Sequence, residues 1–143
     1  MKRNGEEAAR WFREAENDFH FVRRFVEERL GEGGYFNIGC FIAQQAGEKA
    51  LKACLYAAGE RHVFTLSLLT MVNQLSNIDE AFRHAMPEVS RLDRFYIPTR
   101  YPNGWPDGSP HNYYTAEDIV GACDDVTKVF ALARAFLERQ GAL

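Results

Sequence analysis

Two short stretches of this chain carry side chains that can bind a charged ligand, and the first is Thr99-Arg100-Tyr101-Pro102. A guanidinium can form two parallel hydrogen bonds to a phosphate or a carboxylate, so Arg100 is a candidate phosphate ligand. The alternative is that Arg100 only ties its loop to Glu48 or Asp18. Tyr101 can stack on a nucleobase, or it can fill a gap under the loop.

The second stretch is a polar row along a helix whose other positions are mostly small. The polar row consists of Gln44, Gln45, Glu48, Lys49 and Lys52. Residues four apart in this row lie one helical turn apart and face the same way. Because the rest of the helix packs tightly, we expect a partner chain or a ligand to cover the row. The lysines of the row either stay solvated or add positive charge to a phosphate site. Its other members either orient Arg100 or line a dimer seam. Asp18 of the first helix is expected in the same cluster.

The histidines are the remaining candidates for metal binding or proton transfer. They are scattered through the chain, at His20, His62, His84 and His111. None forms an HExxH pattern or an i, i+4 pair with another histidine, so we predict no metal site. His111 is the one histidine on the same loop as Arg100. It is a candidate general base for the 2′-hydroxyl of RNA if the loop brings it within about 3 Å. The chain has no P-loop, GxGxxG or Ser-His-Asp order, and no cofactor is predicted.

The bulk properties describe one globular domain of 143 residues with 46% hydrophobic residues. The net charge of -3 argues against a general nucleic-acid coat protein, although Arg91 and Arg94 can form a local basic edge. Cys40, Cys54 and Cys123 lie in apolar helical patterns without CxxC spacing, which indicates buried free thiols in a reducing compartment. We find no secretory apolar segment and no membrane span, so we expect a cytoplasmic protein.

Three long segments of the chain have apolar residues at alternating steps of four and three, the spacing of one buried helix face. The segments predicted to be helical cover about residues 6–30, 35–58, 65–75, 79–85, 87–96 and 116–140. Prolines and glycines make residues 97–114 a long loop, and its aromatic residues favour an ordered, docked conformation. The sequence therefore predicts an all-α antiparallel bundle, with a single domain over residues 6–140.

Four segments of the chain match the pattern of a known family. They are the opening helix with Trp11, Ala15 and Asp18-Phe19, the stretch from Gly34 to Ala53, the stretch from Leu92 to Pro102, and Tyr114-Thr115 with the helix that follows. In these segments the chain resembles the HEPN family, small helical domains named for nucleotide binding in higher eukaryotes and prokaryotes. The resemblance covers nearly the whole chain. The combination of QQAGEKALKA with TRYP is its most specific part.

The resemblance to the HEPN family implies an up-and-down four-helix bundle with one or two extra short helices, commonly a homodimer. It also implies binding of, or activity on, nucleotides or RNA, often together with a partner protein, a minimal nucleotidyltransferase, in a toxin-antitoxin-like two-component system. Many members are metal-independent ribonucleases that use an arginine and a histidine separated by four to six residues. At those distances from Arg100 this chain has Trp105, Pro106 and Asp107, and His111 lies beyond them.

The leading hypothesis is a dimeric module, not an enzyme, that binds nucleotide, RNA or a nucleotidyltransferase partner. Its binding residues would be Arg100 and Tyr101 together with Asp18 and the polar row, chiefly Gln45, Glu48, Lys49 and Lys52. One alternative is an endoribonuclease toxin that uses Arg100 with a non-standard base such as His111, and another is a purely structural dimer. The leading hypothesis predicts that the guanidinium of Arg100 lies against residues 44–52 and forms a shared polar pocket with them.

Overall fold

The protein folds into five α-helices, as seen in a computed structural model that describes residues 2–143, with side chains from residue 4 onward. The α-helices are α1 (Lys2–Glu28), α2 (Phe36–Ala57), α3 (Leu68–Ser76), α4 (Met86–Asp93) and α5 (Ala116–Arg139). Short 3-10 helices cover Leu30–Glu32, Glu80–Ala85, Pro102–Gly104 and Pro110–Asn112. Residues 2–143 contain no β-strand, so the predicted all-α bundle is confirmed.

The predicted helix ends differ from the observed ones by a few residues. The first helix begins at Lys2 and ends at Glu28, because Leu30–Glu32 turns into a tighter 3-10 helix before the glycines that follow. The short segment predicted over 79–85 is the 3-10 helix Glu80–Ala85. The helix α4 ends at Asp93, and the chain continues to Tyr96 only with turn-type hydrogen bonds.

Helix α2 lies at the centre of the fold, where it contacts α1, α3, α4 and α5. Its small residues allow this close approach. A Cβ atom built on Gly39 would lie 2.8 Å from Ile119 Cδ1 of α5, and one built on Gly47 would lie 2.9 Å from Leu68 Cδ2 of α3. Glycine at these two positions therefore lets α5 and α3 pack directly on the backbone of α2.

The core continues along α1 and α5, whose apolar stripes face α2. Phe12 of α1 and Phe136 of α5 are among its largest fully buried side chains. All three cysteines are buried free thiols, as predicted. Burial raises the pKa of the Cys40 thiol to about 12, so this side chain behaves as a small apolar group.

The long loop between α4 and α5 is ordered by its own aromatic side chains. Trp105 stacks on Tyr113 with ring centroids 4.0 Å apart and meets Tyr114 edge-on. The Trp105 indole N–H donates to the backbone oxygen of Pro98 at 2.7 Å. These contacts confirm that the loop is docked, and they hold the segment that precedes it against the bundle.

Side chains cap the starts of two helices in this part of the fold. Thr115 and Asp118 form a capping box at the start of α5, and Ser67 caps α3. Asp93 also accepts hydrogen bonds from the backbone N–H groups of Leu68 and Leu69, which links the end of α4 to the start of α3. Among the described helices, none has the length and apolar character that crossing a bilayer requires.

Candidate functional site

The segment that carries Arg100 is tied directly to the first turns of α2. The side-chain amide of Asn37 on α2 donates to the backbone oxygen of Thr99 at 3.0 Å. The hydroxyl of Thr99 in turn donates to the backbone oxygen of Phe95 at 2.5 Å, and Thr99 itself is buried. These two hydrogen bonds fix the position of the backbone next to Arg100.

The guanidinium of Arg100 lies over three aromatic rings, and we call these four residues the Arg100 cluster. Its central carbon is 4.5 Å from the ring centroid of Phe41, 4.7 Å from that of Tyr96 and 4.9 Å from that of Tyr101. The faces of these rings carry partial negative charge, which attracts the cation. The Nε–H group of Arg100 donates to the backbone oxygen of Tyr96 at 2.9 Å, so both the position and the plane of the guanidinium are constrained.

The outer edge of Arg100 remains available to a ligand. The residue is exposed, and within residues 4–143 its terminal nitrogens make no hydrogen bond or ion pair. The hypothesis that Arg100 ties its loop to Glu48 or Asp18 is wrong, because Glu48 pairs with Lys52 and Asp18 pairs with Lys49. A fixed guanidinium with free terminal N–H groups can donate two parallel hydrogen bonds to two oxygens of one phosphate or carboxylate.

Helix α1 of the same chain lies against the lysines of the polar row, where the sequence led us to expect a partner chain or a ligand. The ammonium group of Lys49 donates to Asp18 of α1 at 2.7 Å. The ammonium group of Lys52 lies 5.5 Å from the ring centroid of Trp11, also on α1, and 3.7 Å from Glu48. A long lysine stem can be buried in this way while its charge finds a partner inside the fold.

The innermost part of the polar row is buried and incompletely hydrogen-bonded. Gln44 is fully buried, and Glu48 is only 5% exposed. The Nε2 atom of Gln44 and the Oε1 atom of Glu48 have no hydrogen-bond partner among the described residues. Burial raises the pKa of Glu48, the nearby charges of Lys52 and Lys49 lower it in part, and the carboxylate of Asp93 raises it further.

The Arg100 cluster and the polar row share one face of α2 but form two separate groups. Phe41 is one helical turn before Gln45, so the two side chains project from the same face. Gln45 is half-buried and donates to Gln44 at 2.8 Å. Among the described residues no hydrogen bond or ion pair joins Arg100 to residues 44–52. The predicted shared polar pocket is therefore not formed, because Phe41 fills the position next to the guanidinium.

His111 lies on the 3-10 helix Pro110–Asn112, at the far end of the same loop. Its Nδ1 atom is 2.8 Å from the hydroxyl oxygen of Ser109, and the ring is exposed. In the part of the chain that the structure describes, no contact places His111 with Arg100. The loop therefore does not assemble the arginine and histidine pair in this conformation.

Sequence reasoning misses the aromatic residues that hold the charges. The helical pattern places Phe41 on the buried side of its helix and leaves open whether Phe95 or Tyr96 faces inward, yet Phe41 and Tyr96 both contact Arg100. The pattern places Trp11 only in the apolar stripe of α1, yet its ring faces Lys52. The one signal in the sequence is that Tyr96 precedes Arg100 by four residues, a distance at which a turn brings a side chain back to a carbonyl group.

The five-helix fold and the docked loop with Arg100 place the protein among small helical bundles. A comparison with family models shows which family of such bundles it is. The HEPN domain model matches residues 8–140, and the chain belongs to the HEPN domain family. It is similar to TT1696 from Thermus thermophilus, at 28% identity and a TM-score of 0.79 over 94% of this chain and 98% of that chain. It is also similar to ST0689, an archaeal HEPN homologue, at 25% identity and a TM-score of 0.70 over 91% of this chain and 97% of that chain. No curated protein matches the chain.

Proposed function

We propose that this HEPN domain is a binding module that captures the phosphate of a nucleotide or of RNA through Arg100. The observation that supports this proposal is the state of the guanidinium. It is exposed, oriented by Tyr96 and three aromatic rings, and free of any carboxylate partner among the described residues. The guanidinium is therefore held in place while its terminal N–H groups stay available to the oxygens of an anion.

Tyr101 supports a ligand that carries a base as well as a phosphate. Its ring is 48% exposed and contacts Arg100 on one side. Aromatic rings at the surface stack on nucleobases with little regard to their identity. A nucleotide can therefore place its phosphate on Arg100 and its base on Tyr101.

The proposal is tested by titrating fluorescein-labelled single-stranded oligo(A) RNA, and separately AMP, into the purified protein. Arg100→Ala should weaken binding of the preferred ligand about ten- to hundredfold, since a hydrogen bond to a charged group contributes roughly 1.5–3 kcal/mol. Arg100→Lys keeps the charge but loses the planar fork, and it should recover only part of the affinity. Comparing the RNA arm with the AMP arm separates a strand-binding site from a mononucleotide site.

Arg83→Ala is the matched control for this experiment. Arg83 is an exposed arginine on the 3-10 helix Glu80–Ala85, so its removal changes net charge equally without touching the Arg100 cluster. It should bind RNA and AMP like the wild type. Equal binding by the wild type and Arg100→Ala would contradict the proposal. Shortening of the RNA by wild-type protein but not by Arg100→Ala would instead establish the ribonuclease alternative.

The same proposal includes a homodimer and a nucleotidyltransferase partner, in keeping with the family. An apolar groove of about 570 Å³ where α1 turns into α2 supports a protein contact. Phe21, Tyr35 and Ile38 line it, and each exposes close to half of its side chain or more. Light scattering on the purified chain should give twice the monomer mass, and Phe21→Glu should lower it. A monomer mass for the wild type would exclude the dimer. The partner is tested by co-expressing the protein with a minimal nucleotidyltransferase encoded next to it, and failure of the two to co-purify would exclude that partner.

A further inference from the structure

The rings beneath Arg100 come from two different parts of the fold. Phe41 belongs to the second turn of α2, and Tyr96 belongs to the turn after α4. The two rings also contact each other, with centroids 6.4 Å apart. The guanidinium therefore rests on a platform that the bundle itself builds, and not on its own loop alone.

We infer that Phe41 and Tyr96 are positioning residues, which hold the guanidinium of Arg100 in the orientation that binds an anion with two oxygens. This inference rests on the proposed function and adds to it. The Nε–H group of Arg100 donates a hydrogen bond to the Tyr96 carbonyl oxygen. The ring centroids of Phe41 and Tyr96 lie 4.5 and 4.7 Å from the central carbon of the guanidinium. The edge with both terminal nitrogens is then the part left for a ligand.

The physical gain is preorganisation of a long side chain. A free arginine loses much of its rotamer freedom when a ligand fixes it, and this loss weakens binding. Here the rings and the Tyr96 carbonyl restrict Arg100 before the ligand arrives. Phe41 can act in this way only through its ring face, because a side chain without a π-system does not attract the cation.

The test compares Phe41→Leu with Phe41→Tyr in the RNA and AMP titrations described above. Leucine keeps an apolar side chain against the bundle but removes the ring face, whereas tyrosine keeps the face. We expect Phe41→Leu to weaken binding about two- to fivefold, as the loss of one exposed cation–π contact predicts, and Phe41→Tyr to bind like the wild type. Thermal unfolding of each variant shows whether the fold is retained.

A double-mutant cycle separates positioning from a general structural role. If Phe41 acts through Arg100, Phe41→Leu should have no effect on binding in an Arg100→Ala background. Two outcomes would overturn this inference and leave the proposed function intact. In the first, Phe41→Leu weakens binding equally in both backgrounds. In the second, Phe41→Leu does not weaken binding in the wild-type background although Arg100→Ala does. If Arg100→Ala binds as tightly as the wild type, the proposed function itself fails, and the inference fails with it.

Discussion

The Arg100 cluster and the polar row rest on the same face of α2, yet their charges are in opposite states. In the polar row, Lys49 is paired with Asp18, and Lys52 is paired with Glu48 inside the fold. In the Arg100 cluster the charge is oriented by aromatic rings, the residue is exposed, and within residues 4–143 the terminal nitrogens have no partner. Charged residues along a helix edge are thus poor evidence for a ligand, and an oriented charge without a partner is better evidence.

The largest expected effect comes from removing the charge of Lys52, which is only 7% exposed. Lys52→Met keeps the apolar stem beside Trp11 but leaves the carboxylate of Glu48 buried without its nearest cation. Breaking a buried ion pair from one side costs about 3 kcal/mol or more. Urea denaturation should show this loss, while binding of RNA or AMP by the folded variant should not change.

The control for this prediction replaces both partners of the pair with apolar residues. The double variant Glu48→Leu/Lys52→Met buries no charge at these two positions, so its stability should return to within about 1 kcal/mol of the wild type. A double variant as unstable as Lys52→Met would show that packing around Trp11, and not charge, causes the loss. Weaker ligand binding by the folded double variant would show that the polar row belongs to the ligand site after all.

Much of the fold could be predicted because it depends on local patterns. The stripe that includes Phe12 defines α1, the alanines and glycines of α2 indicate a helix in close contact with its neighbours, and Thr115 with Asp118 indicates where α5 begins. Each of these signals lies within one helix or one turn. The aromatic residues of the loop also indicated correctly that it is docked.

The relation between the charged groups could not be predicted, because it depends on contacts between distant segments. Asn37 reaches the Thr99 carbonyl across 62 positions of the chain. The sequence did place Asp18 with the polar row, where it pairs with Lys49, but it did not show which lysine Asp18 meets. The helical pattern shows that Phe41 and Gln45 share a face, but it does not show which of them meets Arg100. The sequence predicted that a partner chain or a ligand covers the polar row; it did not show that Trp11 of α1 lies against Lys52, because that contact joins two distant segments.

A second, smaller effect is the contribution of Glu48 to the pH dependence of the free energy of unfolding. Burial raises its pKa above the ordinary value of 4.5, and Lys52 and Lys49 offset part of this rise. Between the ordinary and the raised pKa the folded state binds more protons than the unfolded state, so this group lowers stability as the pH rises through that window. Glu48→Gln cannot titrate and removes this contribution.

The measurement is urea denaturation of the wild type and Glu48→Gln from about pH 4 to about pH 8. Groups common to both proteins cancel in the difference between their free energies of unfolding. We expect the wild type to lose stability relative to Glu48→Gln as the pH rises above about 4.5, and the difference to level off once Glu48 is ionised in the folded state. A difference that grows in favour of the wild type would mean that the attraction of Lys52 outweighs burial.

The smallest expected effect separates the two regions of α2 most directly. Lys49→Met removes the partner of Asp18 at the partly buried edge of the polar row, where the two side chains are 23% and 14% exposed. An ion pair of this kind contributes about 1 kcal/mol or less, so the free energy of unfolding should fall only slightly. Binding of RNA should stay at the wild-type level, because Lys49 lies two helical turns beyond Phe41 on α2. If Lys49→Met instead weakens RNA binding as strongly as Arg100→Ala, Lys49 exchanges Asp18 for a phosphate on binding, and the ligand runs along α2 across both regions.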